Sequence, residues 1–462
     1  MIIEFIKKQL TLKLSYIGHA LLAFLVLNGF WLVVAQWVFV FRPYLNYDYA
    51  LALMAAPFST VLAVLSLLTV CVFELFITNA LVFHFDGAVD FFNSVEFAKE
   101  LDLKDFVNVQ DTAFLIAFII LAAVVSRYLK SRTNALSVLC VIILAFGADQ
   151  LNGSSYLFKS DHQIIEGNVG GSSMLKLYAS FKERAQDAKP LVFLDHSELP
   201  LRADDLMRWA EQHPDKSVLF VIVESFGLNS DEGVRDWLLS ELKSEGLEDS
   251  YIIESGAAAF VGSTTASEFR HLCGLKGNYS SVVTSEFTEQ CLPQLFAQKG
   301  YSVAGAHGFS ANMFRRRDWW SQLGLQEQLF VDEFNDMDAP YCGSGLYGTC
   351  DSFVVEYLGR RIQEAPGFYY QLTLNTHLPI VKTDVPEALR GICRAAEMTS
   401  EACVLNAKVG QYLRDLSGVV SMLSNKPYVF IVGDHAPPFS ATATRRSFSD
   451  HETPYMILKP LD

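Results

Sequence analysis

The chain has 462 residues, 51% of them hydrophobic, and a formal net charge of −15. That length allows two or three domains, and the acidic balance excludes non-specific nucleic-acid binding, which needs a basic face. The apolar excess lies in the first 150 residues, and six of the eight cysteines lie beyond it.

Lys7, Lys8 and Lys13 precede an uncharged run from Ser15 to Phe41. The run is long enough to cross a bilayer, and the lysines favour a cytoplasmic N-terminus. It is too long for a signal-peptide core and more spans follow, so no cleavage is expected. From Tyr49 to Phe85 the one Asp, Glu, Lys or Arg is Glu74. That run is long for one helix and tight for two. After an acidic loop, Thr112 to Ser126 is another span, with Arg127, Lys130 and Arg132 on the cytoplasmic side, and Thr133 to Ala148 crosses outward. With the N-terminus inside and the cysteines outside, the number of spans is odd. Parity therefore favours two crossings of Tyr49–Phe85 as a tight hairpin, and five spans in all. Residues 1–150 read as a transmembrane domain and 151–216 as a juxtamembrane connector, with helices at Met174–Ala188 and Ala203–Gln212.

Residues 217–462 change pattern: short apolar runs alternate with helical segments. Val218–Val223 ends at Glu224, Tyr301–Gly305 leads to His307, Phe368–Leu374 to His377, and Tyr428–Val432 to Asp434-His435. Tyr455–Leu458 is a last strand. This alternation predicts an α/β domain with a mostly parallel sheet, which binds ligands at the carboxyl ends of its strands. Cys273, Cys291, Cys342, Cys350, Cys393 and Cys403 all fall in this part. Their even number suggests disulfides and an oxidising compartment, with sequence neighbours paired: 273–291, 342–350 and 393–403. No Cys-x-x-Cys pair exists, which speaks against cysteine-bound zinc.

Gly262-Ser-Thr-Thr-Ala-Ser-Glu268 reads as a loop entering a helix. The plain reading is a capping box. The chemical one is a hydroxyl held at a helix start, ready to attack a phosphate once activated. Glu224, Asp434 and His435 decide between them. They are oxygen and nitrogen ligands for one divalent metal, zinc or manganese, and each follows an apolar strand that aims it at one cleft. A hydroxyl bound beside such a metal is acidified, and phosphoryl transfer is its natural use.

The ordered set Val223-Glu224-Ser225-Phe226, Gly262–Glu268 and Val432-Gly433-Asp434-His435 resembles the membrane-anchored sulfatase-like phosphotransferases. These include lipoteichoic acid synthase, the glucan phosphoglycerol transferases and the lipid A phosphoethanolamine transferases. The resemblance covers the whole chain. It implies several membrane helices followed by an alkaline-phosphatase-like domain in the periplasm of a bacterial inner-membrane protein. It implies Glu224, Thr264, Asp434 and His435 as metal ligands, with Thr264 also the nucleophile. His307, Arg317, His377 and His451 would bind substrate, and His377 would also take part in catalysis. A phospholipid would be the donor and a glycan or glycolipid the acceptor. Glu224-Ser225-Phe226 matches the phosphoglycerol branch, whereas the six cysteines match the phosphoethanolamine branch. The latter's second metal lacks a matching histidine after His435, where Ala436-Pro437-Pro438 stands. Sulfatases use Cys-x-Pro-x-Arg, and Cys291-Leu-Pro-Gln-Leu lacks the arginine, so sulfate-ester hydrolysis is rejected. A phosphodiesterase using water as acceptor and a non-catalytic membrane scaffold are the competing readings.

Overall fold

The computed structural model describes residues 4, 9–37, 43–84, 94–100, 109–151, 170–186, 192–194, 199–277, 291–343, 345–380, 383–439 and 441–461. Two compact units result, 1–93 with 107–187, and 94–106 with 188–462. The connector read from the sequence is thereby shared between them.

The first unit contains helices α1 (Leu14–Trp37), α2 (Asp48–Leu53), α3 (Thr60–Val82), α4 (Val109–Leu129), α5 (Ala135–Leu151) and α6 (Ser173–Gln186). Among the described residues three are long and apolar enough to cross a membrane: Leu14–Trp37, Thr60–Ala80 and Thr112–Leu129. Ala135–Gly147 is a shorter apolar helix. Their outer faces expose Leu22, Val33, Leu62, Ile120 and Leu144, the composition expected of helices that face lipid.

Among the described residues of Tyr49–Phe85 the expected hairpin is not formed. The run holds the six-residue α2, a turn through Pro57, and the single 23-residue α3. The chain breaks near its start rather than its middle. Proline has no N–H and cannot continue a helix, and six residues are too few to cross. Glu74 is buried in α3 and accepts from Asn46 Nδ2 at 2.5 Å. The same Nδ2 donates to Ser173 Oγ at 2.7 Å, and Asp48 accepts from Ser172 Oγ at 2.6 Å and from the Met174 N–H at 2.9 Å. These bonds fasten a short bridge, Leu45–Asn46 with Gly170–Gly171, and give the buried carboxylates the partners they require.

The second unit is built on a seven-stranded sheet: β1 (Val218–Val223), β2 (Tyr251–Ala259), β3 (Ser302–His307), β4 (Glu327–Leu329), β5 (Gly367–Leu372), β6 (Tyr428–Gly433) and β7 (Glu452–Pro460). The order is β2-β7-β6-β1-β5-β3-β4. The pairs β6–β1, β1–β5, β5–β3 and β3–β4 are parallel, and β7 runs antiparallel to both β6 and β2. Every residue of β1 is buried, as expected of a central parallel strand covered on both faces. Its alternate residues serve two cores. Leu219, Val221 and Val223 pack with α8 (Glu232–Leu242) and α11 (Ser400–Met422), and Val218, Phe220 and Ile222 with α7 (Ala203–Gln212) and α9 (Thr264–Cys273). β2 is the strand the sequence concealed. It lies at the edge, half exposed, with the small residues Ser255–Ala259, which carry little β-propensity. Three disulfides close Cys273–Cys291, Cys342–Cys350 and Cys393–Cys403.

Candidate active site

β1 and β6 are neighbours in parallel, so the residues that follow them emerge side by side. Glu224 follows β1; Asp434 and His435 follow β6. Ser225, next to Glu224, has a left-handed φ of 55°, a strained state for a residue with a side chain. Two bonds hold it there: its N–H donates to Asp434 Oδ1 at 2.8 Å and its Oγ donates to Glu224 Oε1 at 3.0 Å. Gly433 is needed at the crossing, because a Cβ there would stand 1.9 Å from the Phe226 carbonyl oxygen. The backbone of Glu224 is clasped by the loop after β5: its N–H donates to Thr373 Oγ1 at 2.9 Å, and its C=O accepts from Thr376 Oγ1 at 2.6 Å.

Thr264 is the first residue of α9. Gly262 makes the turn before it with φ 83°, a conformation open to glycine. Ser263 precedes the helix without a side-chain cap bond. Glu268 does not reach back to form a capping box. It is fully buried and accepts from Trp320 Nε1 at 2.9 Å, Tyr370 OH at 3.0 Å and Arg316 Nε at 3.2 Å. Arg270 ties the loop to the strand end, donating to Val261 O at 2.9 Å and Asp434 O at 3.2 Å. The first turn of α9 is thus held from both ends.

The result is a buried cluster. Thr264 Oγ1 lies 3.0 Å from Glu224 Oε2 and 3.3 Å from His435 Nε2. His435 Nε2 lies 3.2 Å from Asp434 Oδ2 and 3.6 Å from Glu224 Oε1. His435 Nδ1 donates to Ala436 O at 2.9 Å, which turns the Nε2 lone pair toward the carboxylates. One ligand atom from each of Glu224, Asp434 and His435 falls within 4.8 Å of the others, a spacing that could hold a metal ion. Among the described residues the buried Asp434 Oδ2 accepts no hydrogen bond of good geometry. Two buried carboxylates facing one another without a cation are costly, so these residues fit a divalent metal. Burial and the Glu224 charge push the Asp434 carboxyl well above its usual range. Burial acts the same way on Glu224, but His377, His435 and bonds from Ser225 and Thr264 outweigh it and hold that carboxyl low.

The other expected residues are placed unevenly. His307 ends β3, buried, with Nδ1 3.1 Å from Leu372 O. Burial and the Arg316 charge pull it down to about 3. His377 is half-buried on the loop after β5, close enough to act on Glu224 and His435. Arg317 is engaged elsewhere: its exposed guanidinium meets Glu333 at 2.8 Å and covers the Phe330 ring. His451 has an exposed side chain, and its carbonyl accepts from Phe260 N. Asp351, which sequence reading did not single out, organises the loop of His377. It opens helix α10 (Asp351–Glu364) and accepts from the N–H groups of Leu374, at 2.9 Å, and Asn375, at 2.7 Å. Burial pushes it up to about 7. No local pattern could have revealed it, because its partners lie more than twenty residues away.

The family model described as sulfatase matches residues 216–461. No curated protein matches the chain. Among solved structures the chain is similar to the lipoteichoic acid synthase LtaP from Listeria monocytogenes, at 18% identity, covering 53% of this chain and 65% of that one, with a TM-score of 0.37. It is similar to the Streptococcus pyogenes phosphoglycerol transferase GacH in complex with sn-glycerol-1-phosphate, at 19% identity, 55% and 73% coverage, and a TM-score of 0.38. It is also similar to the C-terminal periplasmic domain of EcEptC from Escherichia coli in complex with Zn, at 11% identity, 54% and 73% coverage, and a TM-score of 0.35. The match spans less than two thirds of the lipoteichoic acid synthase chain.

Proposed function

The chain belongs to the sulfatase family, and from that premise we propose that it transfers a phospho-alcohol head group from a membrane phospholipid to an envelope glycan or glycolipid. Phosphoglycerol is favoured over phosphoethanolamine. One observation carries this reading: a buried threonine hydroxyl, Thr264 Oγ1, stands within 3.0 Å of a carboxylate and 3.3 Å of an imidazole at the carboxyl edge of the sheet. Sulfate-ester chemistry through a modified cysteine fits less well, because Cys291 is tied to Cys273 in a disulfide.

Glu224, Asp434, His435 and Thr264 would hold one divalent metal, zinc or manganese, which when bound supplies Lewis acidity and lowers the pKa of a neighbouring hydroxyl. Thr264 Oγ attacks the phosphorus, and its bond to the diacylglycerol oxygen breaks. Diacylglycerol leaves with a proton, and the head group stays on Thr264 as a phosphodiester. An acceptor hydroxyl then attacks the same phosphorus, transfers the head group and restores Thr264. His307 and His377 flank the cluster and orient the head group. Asp351 keeps the His377 loop in place. The apolar helices support a membrane location, where lipid donor and lipid product reside and tethering raises their effective concentration. The disulfides support placing the catalytic unit in the periplasm, outside a bacterial inner membrane.

The test is head-group release from labelled phosphatidylglycerol and phosphatidylethanolamine by the full-length protein, with and without glycan acceptors. Acceptor-dependent release, with a labelled adduct on the Thr264 peptide by mass spectrometry, is expected. Release indifferent to acceptor identifies a phosphodiesterase.

A further inference from the structure

The connection between β6 and β7 leaves the sheet at the edge that carries Asp434 and His435. It contains the short helix α12 (Thr442–Arg445). Its second half is fastened beside the chain that follows Glu224: Ser230 N donates to Ser447 O at 2.9 Å, Ser449 N donates to Leu228 O at 2.8 Å, and Asn229 bridges to Phe448. Thr444 is also occupied, accepting from Thr399 Oγ1 at 3.0 Å and lying 3.4 Å from Glu401 Oε2.

Arg445 is different. Its relative exposure is 8%, and its Nη1 is buried without a hydrogen-bond partner. Among the described residues its guanidinium has no carbonyl, carboxylate or aromatic ring at bonding distance. Asp450 is the acid whose charge reaches it, without forming an ion pair. Arginine stays charged at every physiological pH, and a buried cation without a directly paired anion is unfavourable. Most buried polar groups are satisfied, so an exception on a ligand-binding edge calls for an absent partner. A planar fork of donors selects for oxyanions.

We propose that Arg445 anchors an oxyanion subsite, separate from the Glu224–Asp434–His435 cluster, that binds a phosphate group of the donor lipid or of the acceptor glycan. Such a subsite positions a part of the substrate that does not react. It goes beyond the transfer reaction and stands without it, because the guanidinium needs a counter-anion whatever chemistry occurs at Thr264.

The test uses full-length protein in detergent, carrying Thr264→Ala and kept in EDTA, so that neither turnover nor metal contributes. Thermal unfolding is followed during titration with inorganic phosphate and, separately, with short-chain phosphatidylglycerol. Both should raise the midpoint. Arg445→Gln should weaken the response at least tenfold, and Arg445→Lys should fall between, keeping the charge but losing the fork. Asp450→Asn should leave phosphate binding equal or tighter, since it removes a competing charge. Tighter binding of the lipid than of phosphate assigns the subsite to the donor; equal binding assigns it to a glycan phosphate. An unchanged response in Arg445→Gln overturns the proposal. So does a loss of stability in Asp450→Asn as large as that in Arg445→Gln, which would make Asp450 the true partner. If Arg445→Gln does not fold, Arg445→Lys and Asp450→Asn still decide.

Discussion

Thr264 and Glu224 are 40 residues apart in sequence and 3.0 Å apart in space. If that hydroxyl is the nucleophile, Thr264→Ala lowers head-group transfer by roughly 10³-fold or more and leaves the unfolding midpoint nearly unchanged. Thr264→Ser retains part of the rate. Full transfer by the alanine variant in the phospholipid assay would remove the nucleophile's role from Thr264. His307 gives a pH prediction. In the folded protein burial and Arg316 pull its pKa from 6.5 to about 3. Between those values the unfolded chain binds a proton that the folded one does not, so stability rises with pH there. The stabilisation is complete above pH 6.5 and is lost as pH falls toward 3. His307→Gln should therefore flatten the fall in melting temperature from pH 7 to pH 4.5, by an effect on the order of a few kcal/mol. An unaltered slope would mean that the imidazole is solvated.

At the scale of elements, α9 is steered by its buried face. Glu268 collects three donors from Arg316, Trp320 and Tyr370, which sets the rotation of the helix and hence the direction of Thr264. The loop after β5 is set by Asp351 in the same manner. The disulfides restrain the elements by another route. Cys273–Cys291 closes a separation of 18 residues and Cys342–Cys350 one of 8. Chain entropy predicts that removing the first costs about 3 kcal/mol and the second about 0.7 kcal/mol less. Thermal unfolding of the two double Cys→Ser variants measures both. The reverse order would show that local packing around Cys342–Cys350 outweighs loop closure.

At the scale of the molecule, Glu224, Asp434 and His435 come together from the ends of two paired strands, β1 and β6, so a metal ion bound there should affect stability as well as rate. EDTA is expected to abolish transfer and to lower the melting temperature of the full-length protein. The change corresponds to about 2.7 kcal/mol when the metal was present at a hundredfold excess over its Kd. Asp434→Asn should melt at one temperature with and without EDTA. Zinc and manganese added back in turn identify the ion by the restored rate. A wild-type melting temperature indifferent to EDTA would remove the metal from the site.

The sequence by itself determined what depends on short-range pattern. Apolar runs with little or no charge marked the helices long enough to cross a membrane, alternation of strand and helix marked the α/β unit, and metal-type residues after strands marked Glu224, Asp434 and His435. Thr264 was legible for the same reason, as a hydroxyl at a helix start. Tertiary structure alone decided what depends on partners far away in the chain. Tyr49–Phe85 gives one long helix because Pro57 breaks it early and Asn46 and Ser173 satisfy Glu74. Of two adjacent arginines, Arg316 is buried on Glu268 while Arg317 is spent on Glu333, a difference set by the face each presents on a short helix. β2 is a strand because β7 pairs with it, not because its residues favour one. Arg445 reads as an ordinary arginine until packing buries its Nη1 without a hydrogen-bond partner among the described residues.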